Sequence, residues 1–511
     1  MATVPLRVTS TVAMAKSVVR LAGSALSTLR SASMRAACRR FCLATCAATL
    51  ALSGCTATVA QDAPQAAAAP VAASEQRAKN VILFIGDGMG ISTVTAARIY
   101  AGQKQGQTGE EYVLPFENFD HVALVKTYNS NAQVPDSAGT ASAMNTGVKT
   151  NIGMLGFGPG ATLGDCASGK GNEVPLVSEE ARDKGKALGI VSTARITHAT
   201  PAAVYARSVS RNWEGDSEIP EDQRGLGCID IARQLVETPF DVALGGGSAA
   251  FFGEGKGGRR LEAGADLPGE WTAKTGGTFV TSTDEMTAAP AGKPLLGLFS
   301  PSHMTFTADR TPESTEPTLT DMTATAVGRL RGDPQGYYLM VESGRIDHGH
   351  HAGQAGYALE EAVEFARAIQ WAIDNTDPEE TLILVTADHS HVFTMAGYPR
   401  RGNDILGLVV PPAGGGEDGD TGEGPSLAAD GKPYTTLGYG NGPGAIKPGG
   451  REMPETGVAA HQQAAIPTGS ETHGGEDVAL YANGPGAQNV RGVMEQNLIY
   501  DVIRKAFGWA D

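Results

Sequence analysis

The sequence predicts an α/β protein, a three-layer sandwich in which helices cover a central, mostly parallel sheet. Apolar runs of three to five residues alternate with helical patterns along most of the chain, as is typical of parallel strands joined by helical crossovers. Three of these runs lead directly into acidic residues. Ligands of open α/β sheets bind beyond the carboxyl ends of the strands, so the same pattern also predicts a site there.

The predicted strands are mainly apolar, as expected of strands that are buried on both faces of a sheet. They contain the runs 81–85, 188–191, 242–244, 337–341, 382–385 and 478–481. Helical patterns lie between or after them, for example at 176–186, 353–372 and 494–507. This alternation favours one largely parallel sheet covered by helices.

The N-terminus predicts export. Residues 34–55 are predicted to be a signal peptide, because basic residues precede a 12-residue apolar run and a small-residue end, Leu52-Ser53-Gly54-Cys55. This end resembles a bacterial lipoprotein signal, in which Cys55 would be lipidated. The apolar run is too short to span a bilayer as a helix. An ordinary secretory signal, or a transit peptide in residues 1–33, is the alternative.

On the lipoprotein hypothesis, Met34 is the start and residues 1–33 are an upstream extension. Residues 56–78 are rich in Ala, Gln and Pro and are expected to form a flexible tether. The protein would then be a periplasmic or cell-envelope lipoprotein, held at the membrane by its lipid anchor alone.

The net charge argues against one class of partner, and the cysteine content predicts a disulfide. The formal net charge of −16 argues against a nucleic-acid partner, because proteins that bind duplexes carry positive surfaces. Any phosphate site must therefore be made attractive locally, by metal ions or by arginine. Beyond Cys55 the sequence contains two cysteines, Cys166 and Cys228, and an even pair in an exported protein predicts one disulfide.

The acidic residues at the strand ends predict metal ions. Asp87 follows the first run, Glu342 the fourth, and Asp388 and His389 the fifth. Parallel strands would bring these carboxylates to one crevice, where they repel one another unless cations neutralise them.

Asp347 and His351 are spaced i, i+4, which places two zinc ligands on one face of a helical turn. A solvated polar turn is the alternative. His473, just before the sixth strand, completes an Asp-His-His set with them.

Ser137 lies near the start of a predicted helix of small residues, Asp136-Ser137-Ala138-Gly139-Thr140. Free backbone N–H groups and the helix dipole favour an anion at such a position. Taken by itself, the serine is better interpreted as a helix cap.

Together these motifs resemble the alkaline phosphatase family, over residues 79–508. The matching segments, which follow the family's order, are 86–90, 136–138, 193–201, 342–351, 386–389 and 472–475. The resemblance implies hydrolysis of phosphate monoesters through a phosphoserine at Ser137, with two zinc ions and one magnesium ion.

The resemblance also implies the ligand sets. The first zinc would be bound by Asp347, His351 and His473. The second would be bound by Asp87, Ser137, Asp388 and His389, and the magnesium by Asp87, Thr200 and Glu342. Arg211 would grip the phosphate oxygens with two hydrogen bonds, oriented by Asp136.

Two positions are similar to the animal-type members of the family, namely His198 and His348, which would lie around the magnesium and phosphate sites. The segment 397–466 resembles in position the crown-like surface insert that those enzymes use at their dimer interface, and it implies a homodimer. The sequence departs from the animal type at Ser300, where a glutamate ligand of a calcium site is expected.

Two alternatives to a phosphomonoesterase are considered. A phosphodiesterase of the same superfamily would usually carry a threonine nucleophile and lack this arginine, so Ser137 and Arg211 disfavour it. A lipid-anchored binding protein with a dead site is disfavoured because every ligand position is filled.

Overall fold

A computed structural model gives the fold, and it describes residues 77–414 and 424–509. The predicted signal peptide 34–55, with Cys55, the upstream residues 1–33 and nearly all of the tether 56–78 lie outside the described residues. None of the helices in the described part is long and apolar enough to cross a membrane.

The strands of the described part have the following bounds: β1 Asn80–Gly86, β2 His121–Lys126, β3 Ala187–Arg195, β4 Val242–Gly246, β5 Thr278–Val280, β6 Leu295–Leu298, β7 Tyr337–Ser343, β8 Thr381–Ala387, β9 Ser390–His391, β10 Phe393–Met395, β11 Leu437–Gly442, β12 Ala464–Pro467, β13 His473–Gly474, β14 Val478–Asn483 and β15 Gly492–Glu495.

The α-helices have the following bounds: α1 Ile91–Lys104, α2 Ser137–Thr146, α3 Cys166–Gly169, α4 Val177–Asp183, α5 Ala199–Ala202, α6 Ile231–Glu237, α7 Leu267–Thr275, α8 Thr283–Ala288, α9 Leu319–Leu330, α10 Arg345–His351, α11 Ala355–Asn375 and α12 Leu498–Phe507.

The main sheet has ten strands in the order β15-β2-β14-β8-β1-β7-β3-β4-β6-β5. Neighbouring strands are parallel, except that β14 runs antiparallel to both β8 and β2. The prediction of a mostly parallel α/β sheet is therefore confirmed.

The centre of the sheet is buried along its whole length. Every residue of β1, β7 and β8 is buried, because helices pack on the sheet and leave neither face of these three strands to solvent. Helices α1 and α9 each pack against α11, and helices α5 and α12 each pack against α2. The side chain of Phe365 on α11 meets that of Phe84 on β1 edge to face, at 5.9 Å between ring centres.

The parallel register brings the predicted acidic residues to one edge. Ile85 pairs with Glu342 of β7, and Gly86 pairs with Ala387 of β8. Asp87 directly follows β1 and Asp388 directly follows β8. The carboxylates of Asp87, Glu342 and Asp388 therefore lie side by side at this edge of the sheet.

One sequence interpretation was wrong in its bounds. The helical pattern assigned to 494–507 begins as strand β15, and helix α12 starts only at Leu498. The strand forms because its backbone pairs with the edge of β2, and this partner lies more than 300 residues away in the sequence.

The segment predicted as an insert, 397–466, contains β11 and most of β12. These strands form a separate three-stranded sheet with β10, in the order β10-β11-β12. Residues 415–423 of this segment lie outside the described residues.

Candidate metal centre

The loop after β1 passes close to the other site elements. Gly88 has a φ of 68°, and a Cβ atom at this residue would lie 2.3 Å from Nε2 of His391. Glycine is therefore required here both for the left-handed backbone and for the space. Its N–H donates to Oδ1 of Asp388 at 3.0 Å, which ties the ends of β1 and β8 together.

Four side chains, here called the first cluster, converge beyond the sheet: Asp347, His351, His391 and His473. Oδ1 of Asp347 lies 3.2 Å from Nε2 of His351, 2.9 Å from Nε2 of His391 and 3.4 Å from Nε2 of His473. The i, i+4 spacing on α10 indeed places Asp347 and His351 on one face. Strand pairing of β13 with β9 sets His473 opposite His391.

The hydrogen bonds of this cluster call for a cation. Nδ1 of His351 donates to the carbonyl of Glu471 at 2.6 Å, and Nδ1 of His473 donates to the carbonyl of Pro135 at 2.8 Å. In neutral rings the lone pairs then lie on the two Nε2 atoms, which are only 3.1 Å apart. Two lone pairs at this distance repel one another unless a proton or a metal ion lies between them.

His391 was not among the predicted site residues. Burial alone would lower its pKa, but hydrogen bonds to Asp347 and Glu471 raise it to about 9. Burial would raise the pKa of Asp347, and the surrounding imidazoles instead hold it well below the usual range. The sequence did contain a signal for His391, because it lies two residues after the predicted ligand His389. Residues two apart in an extended segment share a face.

A second cluster is formed by Asp87, Asp388 and His389, and the predicted nucleophile Ser137 contacts it. Oγ of Ser137 lies 3.1 Å from Nε2 of His389, and this nitrogen is 3.4 Å from Oδ1 of Asp87 and 3.3 Å from Oδ2 of Asp388. All four side chains are essentially buried. Ser137 is the first residue of α2, whereas the cap is Asp136, which accepts a hydrogen bond from the N–H of Gly139.

A third cluster combines Asp87 with His198 and Glu342. Thr200, on α5, lies beside Glu342. The second oxygen of Glu342 accepts a short hydrogen bond from Ser192. The predicted magnesium ligands Asp87, Thr200 and Glu342 are all fully buried.

Several buried oxygen atoms in the second and third clusters have no hydrogen-bond partner among the described residues. They are both carboxylate oxygens of Asp87, Oγ1 of Thr200 and Oε1 of Glu342. Burial, and then repulsion from Asp388, Asp347 and Glu342, raises the pKa of Asp87 well above its usual value. Burial likewise raises the pKa of Glu342 to about 7. Hard cations prefer oxygen ligands and would give these buried oxygens the partner that they lack. The residues therefore fit bound metal ions.

Arg211 lies beside these clusters. Its Nη1 is 3.0 Å from Oδ2 of Asp136, and its Nη2 is 3.0 Å from Nε2 of His198. Burial opposes the charged form, but the neighbouring carboxylate of Asp136 keeps the pKa of Arg211 above its usual value. The guanidinium is therefore a permanent positive charge beside the start of α2.

Imidazoles line the wall next to Arg211. The ring of His348 lies 5.6 Å from that of His198 and 4.0 Å from that of His303, a residue that the sequence did not indicate. Burial lowers the pKa of His348 to about 3 and that of His198 well below its usual value. Both rings are accordingly neutral near pH 7.

Cys166 and Cys228 form the disulfide that was predicted, with 5.5 Å between their Cα atoms.

At the position where a calcium ligand was expected, the hydroxyl of Ser300 donates to the carbonyl of Ser302 instead.

Taken together, a serine hydroxyl, a fixed guanidinium and three groups of metal-ligand side chains lie close together beyond one edge of the sheet. A sequence profile of the family described as "Alkaline phosphatase" matches residues 78–509. The chain is 48% identical over 446 residues to the tissue-nonspecific isozyme of alkaline phosphatase from Gallus gallus, covering 83% of each chain. It is 45% identical over 454 residues to the Homo sapiens isozyme, covering 84% of this chain and 83% of the human one.

Solved structures share the fold. The alkaline phosphatase of Thermus thermophilus superposes with a TM-score of 0.62 at 23% identity, covering 85% of this chain and 92% of that one. The alkaline phosphatase of the Antarctic bacterium TAB5 gives a TM-score of 0.59 at 23% identity, covering 85% and 99%.

Proposed function

Because the chain belongs to the alkaline phosphatase family, and is thus an enzyme that hydrolyses phosphate monoesters, we propose that it acts through a phosphoserine at Ser137. We propose further that two zinc ions and one magnesium ion assist the reaction. The observation that carries this proposal is the position of the Ser137 hydroxyl. It lies at the start of α2, 3.1 Å from Nε2 of His389 and next to the Asp136–Arg211 pair.

The three clusters support the proposed ligand sets. Asp347, His351 and His473 would hold the first zinc, and Asp87, Asp388, His389 and Oγ of Ser137 would hold the second. Asp87, Thr200 and Glu342 would hold the magnesium, because their unpartnered oxygens suit a hard cation. Such ions lower the pKa of bound hydroxyl groups and water, and they stabilise the negative charge that develops on phosphate oxygens.

The residues of the chain divide the remaining work. Arg211 can donate two parallel hydrogen bonds to the phosphate, and the N–H groups at the start of α2 favour the same anion. Oγ of Ser137 attacks phosphorus, the P–O bond to the alcohol breaks, and water then cleaves the phosphoserine to release inorganic phosphate. His198 and His348 are neutral, so they add hydrogen-bonding groups but no charge to this wall.

The two alternatives make different demands on the site. A phosphodiesterase must accommodate a second ester group, and a guanidinium that grips two phosphate oxygens leaves less room for it. A binding protein without activity would not need a serine hydroxyl in contact with a metal-ligand histidine. Both Ser137 and Arg211 therefore favour the phosphomonoesterase.

The test is to trap the intermediate. Purified enzyme is incubated with ³²P-labelled substrate, quenched in acid and digested, and the labelled peptide is sequenced. We expect the label on Ser137. Label on any other residue would overturn the assignment. Ser137→Ala should lower kcat/KM by at least about a thousandfold.

A control variant tests whether the loss of activity is specific to Ser137, and a chelation experiment tests whether activity needs metal ions. Ser142→Ala, which removes another buried hydroxyl of α2 that bonds the carbonyl of Met154, should keep most of the activity. Exhaustive chelation should abolish activity, and zinc with magnesium should restore it. Full activity in protein whose metal content is near zero would overturn the metal assignment.

Export, lipidation of Cys55 and dimer formation remain proposals. The signal-like residues 34–55 support the first two, and the insert 397–466, with its separate sheet, supports the third.

A further inference from the structure

Glu471 contacts two different histidines of the first cluster. Its backbone N–H donates to the carbonyl of His351 at 2.9 Å, and its own carbonyl accepts from Nδ1 of His351 at 2.6 Å. Its side chain reaches His391, with 2.5 Å between Oε2 and Nδ1. The other carboxylate oxygen accepts from the N–H of Val392 at 2.8 Å. Glu471 is 1% exposed, so no water competes for these bonds.

These contacts fix a proton on Nδ1 of both rings. A carbonyl and a carboxylate accept hydrogen bonds, so Nδ1 of each ring must donate. Nε2 of His351 and Nε2 of His391 then both point to Asp347, at 3.2 and 2.9 Å. A single residue thus orients two of the three imidazoles of the first cluster.

The segment that carries Glu471 is itself held in place. Asn441 of β11 accepts from the N–H of Thr472 at 3.0 Å and donates to its hydroxyl at 2.8 Å. His473, the third imidazole of the cluster, follows directly. The contacts of Glu471 are therefore built into the fold rather than made by a free side chain.

We propose that Glu471 is a positioning residue for the first metal, which acts through His391 on Asp347 and sets the zinc affinity of the first cluster. This inference rests on the proposed function, because it assumes that the cluster binds zinc. Carboxylates that accept from a histidine beside a metal typically raise the affinity for that metal by about 10- to 100-fold.

Glu471→Gln tests the role of the carboxylate charge, because glutamine keeps the size and one acceptor oxygen. The backbone contacts to His351 are unchanged in this variant, so it tests only the hydrogen bond between the Glu471 side chain and His391. We expect zinc binding at the first cluster to weaken by about 10- to 100-fold, while the second cluster keeps its affinity.

The measurement is zinc content of the purified full chain, equilibrated with a series of zinc buffers of known free concentration. Cobalt substitution gives a second readout, because the visible absorption of Co²⁺ reports the geometry of its ligands. Glu364→Gln is the matched control: Glu364 is also buried and also accepts from a backbone N–H, that of Thr320, but lies on α11 away from the clusters. The control should bind zinc as the wild type does.

Further variants test whether Glu471 acts through His391. His391→Gln should weaken zinc binding to the same extent, and the double variant with Glu471→Gln should be no weaker than His391→Gln alone. Glu471→Asp keeps the charge but shortens the side chain, and it should also lose affinity, so the proposal is still tested if Glu471→Gln does not fold.

The outcomes are distinguishable. Wild-type zinc affinity and an unchanged cobalt spectrum in folded Glu471→Gln or Glu471→Asp would overturn the proposal and leave the proposed function intact. Absence of zinc at the first cluster of the wild-type protein would overturn both. Equal losses in Glu364→Gln would show a general effect of buried charge and would also overturn the proposal.

Discussion

The guanidinium of Arg211 and the carboxylate of Asp136 form a partly buried ion pair, with 3.0 Å between Nη1 and Oδ2. Asp136 therefore has two roles, because its other oxygen caps helix α2 through the N–H of Gly139. The helix that begins with Ser137 and the cation that faces the phosphate site are oriented by the same side chain.

Asp136→Asn separates these roles, because asparagine caps helices as well as aspartate does but carries no charge. We expect inorganic phosphate to inhibit roughly tenfold less strongly, since one charge-assisted hydrogen bond contributes about 1.5 kcal/mol to holding the arginine. The inhibition constant for phosphate measures this. Asp266→Asn is the control, since Asp266 also caps a helix and pairs with Lys256 outside the site. An unchanged constant in Asp136→Asn would contradict the orienting role.

His198→Asp should strengthen magnesium binding. His198 is neutral because burial and the nearby Arg211 lower its pKa, and its Nδ1 has no partner among the described residues. An aspartate would add a negative charge beside Asp87 and Glu342, which favours a hard cation. We expect the magnesium titration of activity to shift to lower concentration by about tenfold, while His198→Asn, which adds no charge, does not shift it in that direction. An unchanged titration curve for His198→Asp would refute the idea.

Glu361→Gln should stabilise the protein at alkaline pH. Glu361 is buried on α11 and accepts from the N–H of Thr307 at 2.6 Å. Burial raises its pKa from 4.5 to about 7, and neighbouring arginines offset this only in part. The stability that Glu361 contributes is thus complete below pH 4.5 and is lost as the pH rises through 7.

Glutamine cannot ionise, so the variant avoids a loss of about 3 kcal/mol above pH 7. The free energy of unfolding in urea, measured for both proteins at pH 5 and pH 9, should show a larger gain for the variant at pH 9. An equal difference at the two values of pH would contradict the prediction.

Loss of the disulfide should cost stability without changing the chemistry. Cys166 and Cys228 are separated by 62 residues, and closing a loop of this size contributes about 4 kcal/mol on the chain-entropy account. Cys166→Ala, Cys228→Ala and the double variant should lose similar amounts in denaturant unfolding, with metal content unchanged. Two reactive thiols in the denatured, unreduced wild type would show that the bond is absent in solution.

Cys55→Ala should release active enzyme in soluble form, if the lipoprotein hypothesis holds. Two or three acyl chains anchor a protein stably, since each buried CH₂ contributes about 0.8 kcal/mol. Membrane fractionation and the mass of the N-terminal peptide test this. A soluble wild-type protein whose mature N-terminus is not Cys55 would support an ordinary secretory signal instead.

The sequence by itself determined the central strands, the acidic residues that follow them and the i, i+4 pair Asp347 and His351. These features are local, because an apolar run, the residue that follows it and the helical spacing of a pair are each contained in one short segment. The resemblance of six such segments to one family then predicted the ligand sets, which stay a prediction.

Only the tertiary structure decided the rest. His391 and Glu471 are 80 residues apart, and they meet because β9 pairs with β13. His303 reaches His348 from a loop after β6, and β15 replaces the predicted start of a helix because β2 offers it an edge. Such contacts depend on backbone pairing between distant segments. The free energy of that pairing is gained only when the whole sheet is assembled, so no local pattern of residues records it.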